Sequence, residues 1–125
     1  MKIQKASQLK HRQLKSQRTG EEFSLSHVIS EALLSKDFFL SHEILRPSSR
    51  SSSPHFHTVT EEIIYVLKGE VTATEGDTEV FMGEGDSILF ERNSEKYHFL
   101  RNNSHSDCHL LVIRKKTETP DVVFP

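Results

Sequence analysis

Tryptophan is absent, cysteine occurs once, and no long hydrophobic run interrupts the 125 residues. With Cys108 alone, an internal disulfide is impossible and a cysteine-built zinc site is excluded. A single thiol fits a reducing compartment, so a cytoplasmic location is expected. No segment approaches the roughly 18 consecutive apolar residues of a membrane span. No apolar block follows Lys2 and Lys5, so neither a secretory signal nor membrane attachment is expected. A surplus of positive charge is lacking too: the net charge of -2 argues against a general nucleic-acid binder. The charge is unevenly spread, however. Residues 1–20 carry six Lys/Arg and no acid, leaving ten basic and eighteen acidic side chains in the rest. That start reads as a basic, solvated, flexible arm, followed by one domain over residues 21–125.

What the chain does hold is histidine, eight in all, at positions 11, 27, 42, 55, 57, 98, 105 and 109, with eight Phe supplying bulky apolar volume. From Glu21 onward, short apolar runs alternate with turn residues. The pattern predicts strands over 23–29, 38–45, 55–57, 62–68, 71–75, 78–82, 87–90, 97–101 and 108–113, with one helical turn near 31–34. Gly76-Asp77 marks a hairpin between two of them. Residues 47–54, with two Pro and five Ser, read as a loop. Val122-Val123-Phe124 forms an apolar end expected to dock on the domain or on a partner. About eight strands at roughly ten-residue spacing and almost no helix make an all-β sandwich or barrel.

Side chains two apart on a strand project from the same face, so His55 and His57 point together. A short loop then leads to Glu62, whose strand is expected to lie beside the histidines. Glu62 shares a face with Ile64 and Val66, where an unpaired carboxylate is costly. His98 shares a face with Leu100 and Asn102. Three imidazoles and one carboxylate suit a borderline divalent ion such as manganese, iron, nickel, copper or zinc, and leave coordination positions open for water or substrate. His105 and His109 have no partner that spacing can assign. Cys108 reads as a small buried hydrophobe. The serine-rich loop has no base at a fixed offset, so nucleophilic catalysis has no support.

The run His55-Phe-His57-Thr-Val-Thr-Glu-Glu62-Ile-Ile-Tyr-Val-Leu-Lys-Gly69 resembles the first signature of the cupins. Gly85-Asp86 through His98-Phe-Leu-Arg-Asn102 resembles the second. Glu91 stands where that family has Pro, Asn93 where it has a second Gly, and Ser49 near the place of the leading Gly. The common spacing would put Lys96 at the fourth ligand position. A two-residue extension puts His98 there, on the same face, and Asn102 keeps the expected distance from it.

The resemblance implies a double-stranded β-helix (jelly-roll) barrel with the metal inside, held by His55, His57, Glu62 and His98. It also implies a small polar metabolite as ligand and a homodimer paired sheet to sheet, with no nucleic-acid or membrane partner. Two functions remain open: a metal-dependent isomerase or dioxygenase, or a non-catalytic cupin that binds a sugar or carboxylate. Lys96, Glu91 and Tyr97 are the candidate general bases for the first.

Overall fold

A computed structural model describes residues 1–125. The strands are β1 (Arg12–Lys15), β2 (Glu22–Val28), β3 (Phe38–Leu45), β4 (Phe56–His57), β5 (Glu62–Lys68) and β6 (Val71–Glu75). They continue with β7 (Thr78–Met82), β8 (Ser87–Phe90), β9 (His98–Arg101), β10 (Cys108–Lys115) and β11 (Val122–Val123). The one α-helical turn is α1 (Ile29–Ala32). No helix is long and apolar enough to cross a membrane.

A six-stranded sheet in the order β1-β2-β3-β10-β5-β8 faces a three-stranded sheet, β7-β6-β9, and β4 pairs with β11 as a short ribbon. This is the jelly-roll arrangement expected of the motifs. β5 shows why the sheets face each other. Its even residues Glu62, Ile64 and Val66 are buried and its odd residues exposed, the period-two pattern of a half-buried strand. Leu45, Leu110 and Val112 join Ile64 and Val66 from the large sheet, and pack on Val71, Ala73 and Leu100 from the small one. Cys108 lies in the same core, fully buried, and desolvation pushes its thiol up to about 11. It is a packed hydrophobe.

Two positions fix the turns. Gly69 sits at φ +85°, and a Cβ there would stand 2.7 Å from the Asp107 carbonyl oxygen, so only glycine fits. Gly76, at φ +57°, closes the β6–β7 hairpin, whose register runs from Val71 opposite Met82 to Glu75 opposite Thr78. Asn102 is fully buried. Its Nδ2 donates to the Leu45 carbonyl at 2.8 Å and to that of Ser106 at 2.7 Å, and its Oδ1 accepts from the Ser104 N–H and hydroxyl. It thereby ties the end of β9 to β3.

Two local features differ from the sequence reading, β1 and the place of β4, and a third, the docking of the C-terminal end, decides between the two places that reading allowed. Arg12–Lys15, within the stretch read as an arm, pairs antiparallel with β2 as an edge strand. The apolar C-terminal end docks on its own domain, with Val122 opposite His57 and Val123 opposite Phe56. And β4 is not the sheet neighbour of β5, which pairs with β8 and β10 instead. A four-residue connection permits adjacency without requiring it. Here it crosses from the ribbon to the large sheet, so Glu62 reaches the histidines across the interior.

Candidate metal centre

Each of the four sequence-derived residues arrives from a different constraint. His57 lies on β4 beside the C-terminal strand. His55 forms an isolated antiparallel bridge with His98, through backbone bonds of 2.8 and 3.2 Å. Glu62 opens the inward face of β5, and His98 the inward face of β9. One donor atom from each lies within 4.8 Å of the others, and His57, Glu62 and His98 are buried. Opposite donors on one ion are about 4.2 Å apart at ~2.1 Å bond lengths, so the cluster needs only a small contraction to close on a cation. Lys96, the other reading of the fourth position, is exposed, with its side chain against Gly76.

Hydrogen bonds set the histidine tautomers. His55 Nδ1 lies 2.9 Å from the Ser53 carbonyl, which can only accept, so Nδ1 carries the proton and Nε2 a lone pair. His57 Nδ1 lies 2.9 Å from Asp121 Oδ1, with the same consequence. His57 Nε2 and both ring nitrogens of His98 are buried without a hydrogen-bond partner. Buried polar atoms seldom remain unpaired. Free imidazole lone pairs beside a carboxylate are the donors that a borderline divalent cation takes, so the residues present fit a metal.

Electrostatics agree with this. Burial acts to raise the Glu62 carboxyl. The neighbouring imidazoles of His57 and His98, at 3.5 and 3.8 Å, and the charge of Arg114 overcome it and hold the group well below the usual carboxylate range. Arg114 Nη1 is 3.0 Å from Glu62 Oε2, while Oε1 turns toward His98 at 3.8 Å. The Arg114 guanidinium lies 3.7 Å over the ring of Phe39, a cation–π contact that fixes its place. Burial likewise lowers His55, and neighbouring His98 adds to this, favouring the neutral ligand form. For His57, burial is overcome by the carboxylates of Glu62 and Asp121, and its pKa is raised.

Asp121 is held near 2, since its bonds with His57 and with the Thr60 side chain and backbone outweigh burial. It also accepts from the Val59 and Thr60 N–H groups, at 3.1 and 2.9 Å. Residues that orient metal ligands in this way matter nearly as much as the ligands themselves.

The cluster lines a cavity of about 250 Å³, walled by Phe39, Phe90, Phe99, Leu110 and, from the tail, Val122 and Phe124. Phe90 stacks on His98 with ring centroids 3.8 Å apart. Arg114 and Glu43 line the same space, and neither Lys96, Glu91 nor Tyr97 does. Tyr97 packs on Phe56 instead. A larger polar groove of about 560 Å³ adjoins it, sharing Ser52 and Phe124.

A family model described as "Cupin domain" matches residues 41–114, more than half the chain and all four cluster residues. The chain belongs to the cupin family. Solved structures with the same fold include a cupin-superfamily sugar phosphate isomerase from Silicibacter pomeroyi (20% identity, 93% of this chain and 76% of that one, TM-score 0.84). The polyketide cyclase RemF from Streptomyces resistomycificus matches at 22% identity, over 100% of this chain and 87% of the other, with TM-score 0.78. A predicted oxalate decarboxylase from Thermotoga maritima matches at 20% identity, over 93% and 100%, with TM-score 0.76. No curated protein matches the sequence significantly. At these identities the likeness is one of fold, and cupin folds carry many chemistries.

Sequence reasoning missed Glu43, Arg114 and Asp121 in this cupin. The first two had a signal. Glu43 falls between Ser41 and Leu45 on the inward positions of β3, and Arg114 continues the inward series Cys108, Leu110, Val112. A charged side chain at an inward position is the same clue that identified Glu62. Asp121 had no such mark, being 64 residues from His57 in a polar tail.

Proposed function

We propose that this cupin is a metal-dependent isomerase that moves a proton on a small hydroxy-carbonyl metabolite, with His55, His57, Glu62 and His98 as the metal ligands. Glu43 carries this reading. Burial pushes its carboxyl pKa up, against the opposing hydrogen bonds from Ser24 and Ser41. Ser41 Oγ donates to Glu43 Oε2 at 3.1 Å and Ser24 Oγ to Oε1. A carboxyl group raised toward neutrality, in the cavity that the ligands line, has the properties of an acid–base catalyst.

A divalent ion bound there supplies Lewis-acid polarisation of a carbonyl. The remaining work falls to side chains. Ionised Glu43 takes the proton from the carbon beside the carbonyl. Its carboxyl proton exchanges with solvent, and Glu43 then delivers a proton to the neighbouring carbon, while the hydroxyl proton passes between the two oxygens. Arg114, the one Lys or Arg side chain lining the cavity, offers a counter-charge to an anionic substituent. The apolar walls exclude water, which strengthens each of these interactions. The space is about that of eight waters, so the substrate is small. The sugar phosphate isomerase among the fold relatives has this class of substrate by its name. The same reading has the chain work as a homodimer paired through the outer face of the large sheet.

The test follows solvent deuterium entering the carbon α to a carbonyl, by NMR, across a panel of sugar phosphates and hydroxyketones. Metal-loaded protein should catalyse the exchange. Chelation should abolish it, and so should Glu43→Gln with metal retained. Tight binding of a sugar or carboxylate with no exchange would replace this reading with a non-catalytic binding cupin.

A further inference from the structure

Four of the eight histidines gather on the opposite, outer face of the large sheet, away from the barrel interior. His42 projects outward from β3 while its neighbours Ser41 and Glu43 project inward. His27 on β2 is directly opposite it in register. His109 comes from β10, and His11 from the residue preceding β1. His11 Nε2 lies 2.6 Å from His42 Nδ1, and His42 Nε2 lies 3.3 Å from His109 Nδ1. The rings are tilted or edge-on to one another, with centroids 4.9 Å apart for His11–His42 and 5.3 Å for His42–His109. No salt bridge joins any of the four to a carboxylate.

We propose that His11 and His42 form a second, separate transition-metal site on this outer face, with His109 orienting His42. The donor set is imidazole only, which suits zinc, copper or nickel and disfavours magnesium and calcium. His42 can present Nδ1 as a lone pair because its Nε2–H donates to His109 Nδ1. A histidine ligand usually gives its second ring nitrogen to such a partner. Between His11 Nε2 and His42 Nδ1, the ion takes the place of the one proton that otherwise bridges them, and His11 then carries its proton on Nδ1. Two nitrogens on one tetrahedral ion stand about 3.3 Å apart, so the pair opens by a little over half an ångström. Water completes the coordination shell. The remaining histidine, His27, is engaged elsewhere: Nε2 lies 2.9 Å from Gln4 Oε1 and Nδ1 3.1 Å from the Lys10 carbonyl.

The protonation states favour a ligand role. Burial first, then neighbouring His27 and His109, lowers the pKa of His11. Burial first, then His11, His109 and His27, lowers that of His42. Both shifts favour the neutral imidazole, the form that binds metal. A site here would pin the residues before β1 to the sheet and owes nothing to the barrel cluster.

The experiment counts zinc ions bound per chain by calorimetry at pH 7.5, in wild type, His42→Ala and His11→Gln. Each variant should bind one equivalent fewer than wild type, whatever the barrel site itself holds. Both substitutions are on the outer face, and circular dichroism checks that the fold persists. With copper, the wild type should show a spin-resonance signal with two equatorial nitrogens that disappears in His42→Ala. Equal zinc stoichiometry in all three proteins, or a copper signal unchanged by His42→Ala, would overturn the proposal.

Discussion

Within the cavity, single atoms decide what each side chain can do. Asp121 gives His57 its tautomer, because a carboxylate accepts and never donates a hydrogen bond at neutral pH. Asp121→Asn could instead present an N–H to Nδ1 and push the proton to Nε2, the nitrogen needed for the metal. Loss of an orienting partner of this kind costs ~10–100-fold in metal affinity, and a competition titration against a chelator measures it. Affinity unchanged by the substitution would remove Asp121 from the site. Glu43 gives a pH test with a definite sign. Its folded pKa is raised, so its contribution to stability is fully present below the unfolded carboxyl value and declines as pH rises toward the folded value. Glu43→Gln has no such loss. The melting temperature of the variant relative to wild type should therefore climb as pH is raised from about 4 to 7. A difference that stays flat would show that Glu43 is not held protonated.

Elements place these atoms, and two of them do so through a single residue. β9 delivers His98 because Asn102 anchors its end to the Leu45 and Ser106 carbonyls. Asn102→Ala would remove the Nδ2 donor from the buried Leu45 carbonyl, at ~1–3 kcal/mol for that group, and should lower the denaturant midpoint accordingly. Gly69 has the analogous role in the turn after β5. Gly69→Ala puts a methyl group against the Asp107 carbonyl at positive φ and should destabilise by about 1–3 kcal/mol in the same assay. Because β5 carries Glu62 and β10 begins at Cys108, beside Asp107, that strain falls on the strands that hold the site.

For the whole molecule, the open feature is the outer face of the six-stranded sheet. Ile63, Tyr65, Leu67 and Leu89 are each 38–46% exposed there. Contiguous apolar surface on a soluble domain is commonly an interface. The proposed homodimer predicts twice the 14.4 kDa chain mass in sedimentation equilibrium. Changing Tyr65 and Leu67 together to Lys should return it to a single chain. A monomeric wild type at micromolar concentration would dispose of the dimer and leave the barrel chemistry untouched.

Local periodicity was enough to give β3, β5, β6, β7 and β8 their observed bounds, and to put Glu62, Ile64 and Val66, like His98, Leu100 and Asn102, on buried faces. That follows because the alternation of side chains along a strand is a property of neighbouring residues alone. The motif spacing likewise brought out all four members of the barrel cluster. Tertiary packing decided the rest. Alternation says which way a side chain faces and nothing about which strand lies opposite. It is sheet order, set by burial over the whole chain, that carries Asp121 across 64 residues to His57. The same order puts β10 beside β3, and so His109 within reach of His42, 67 residues away.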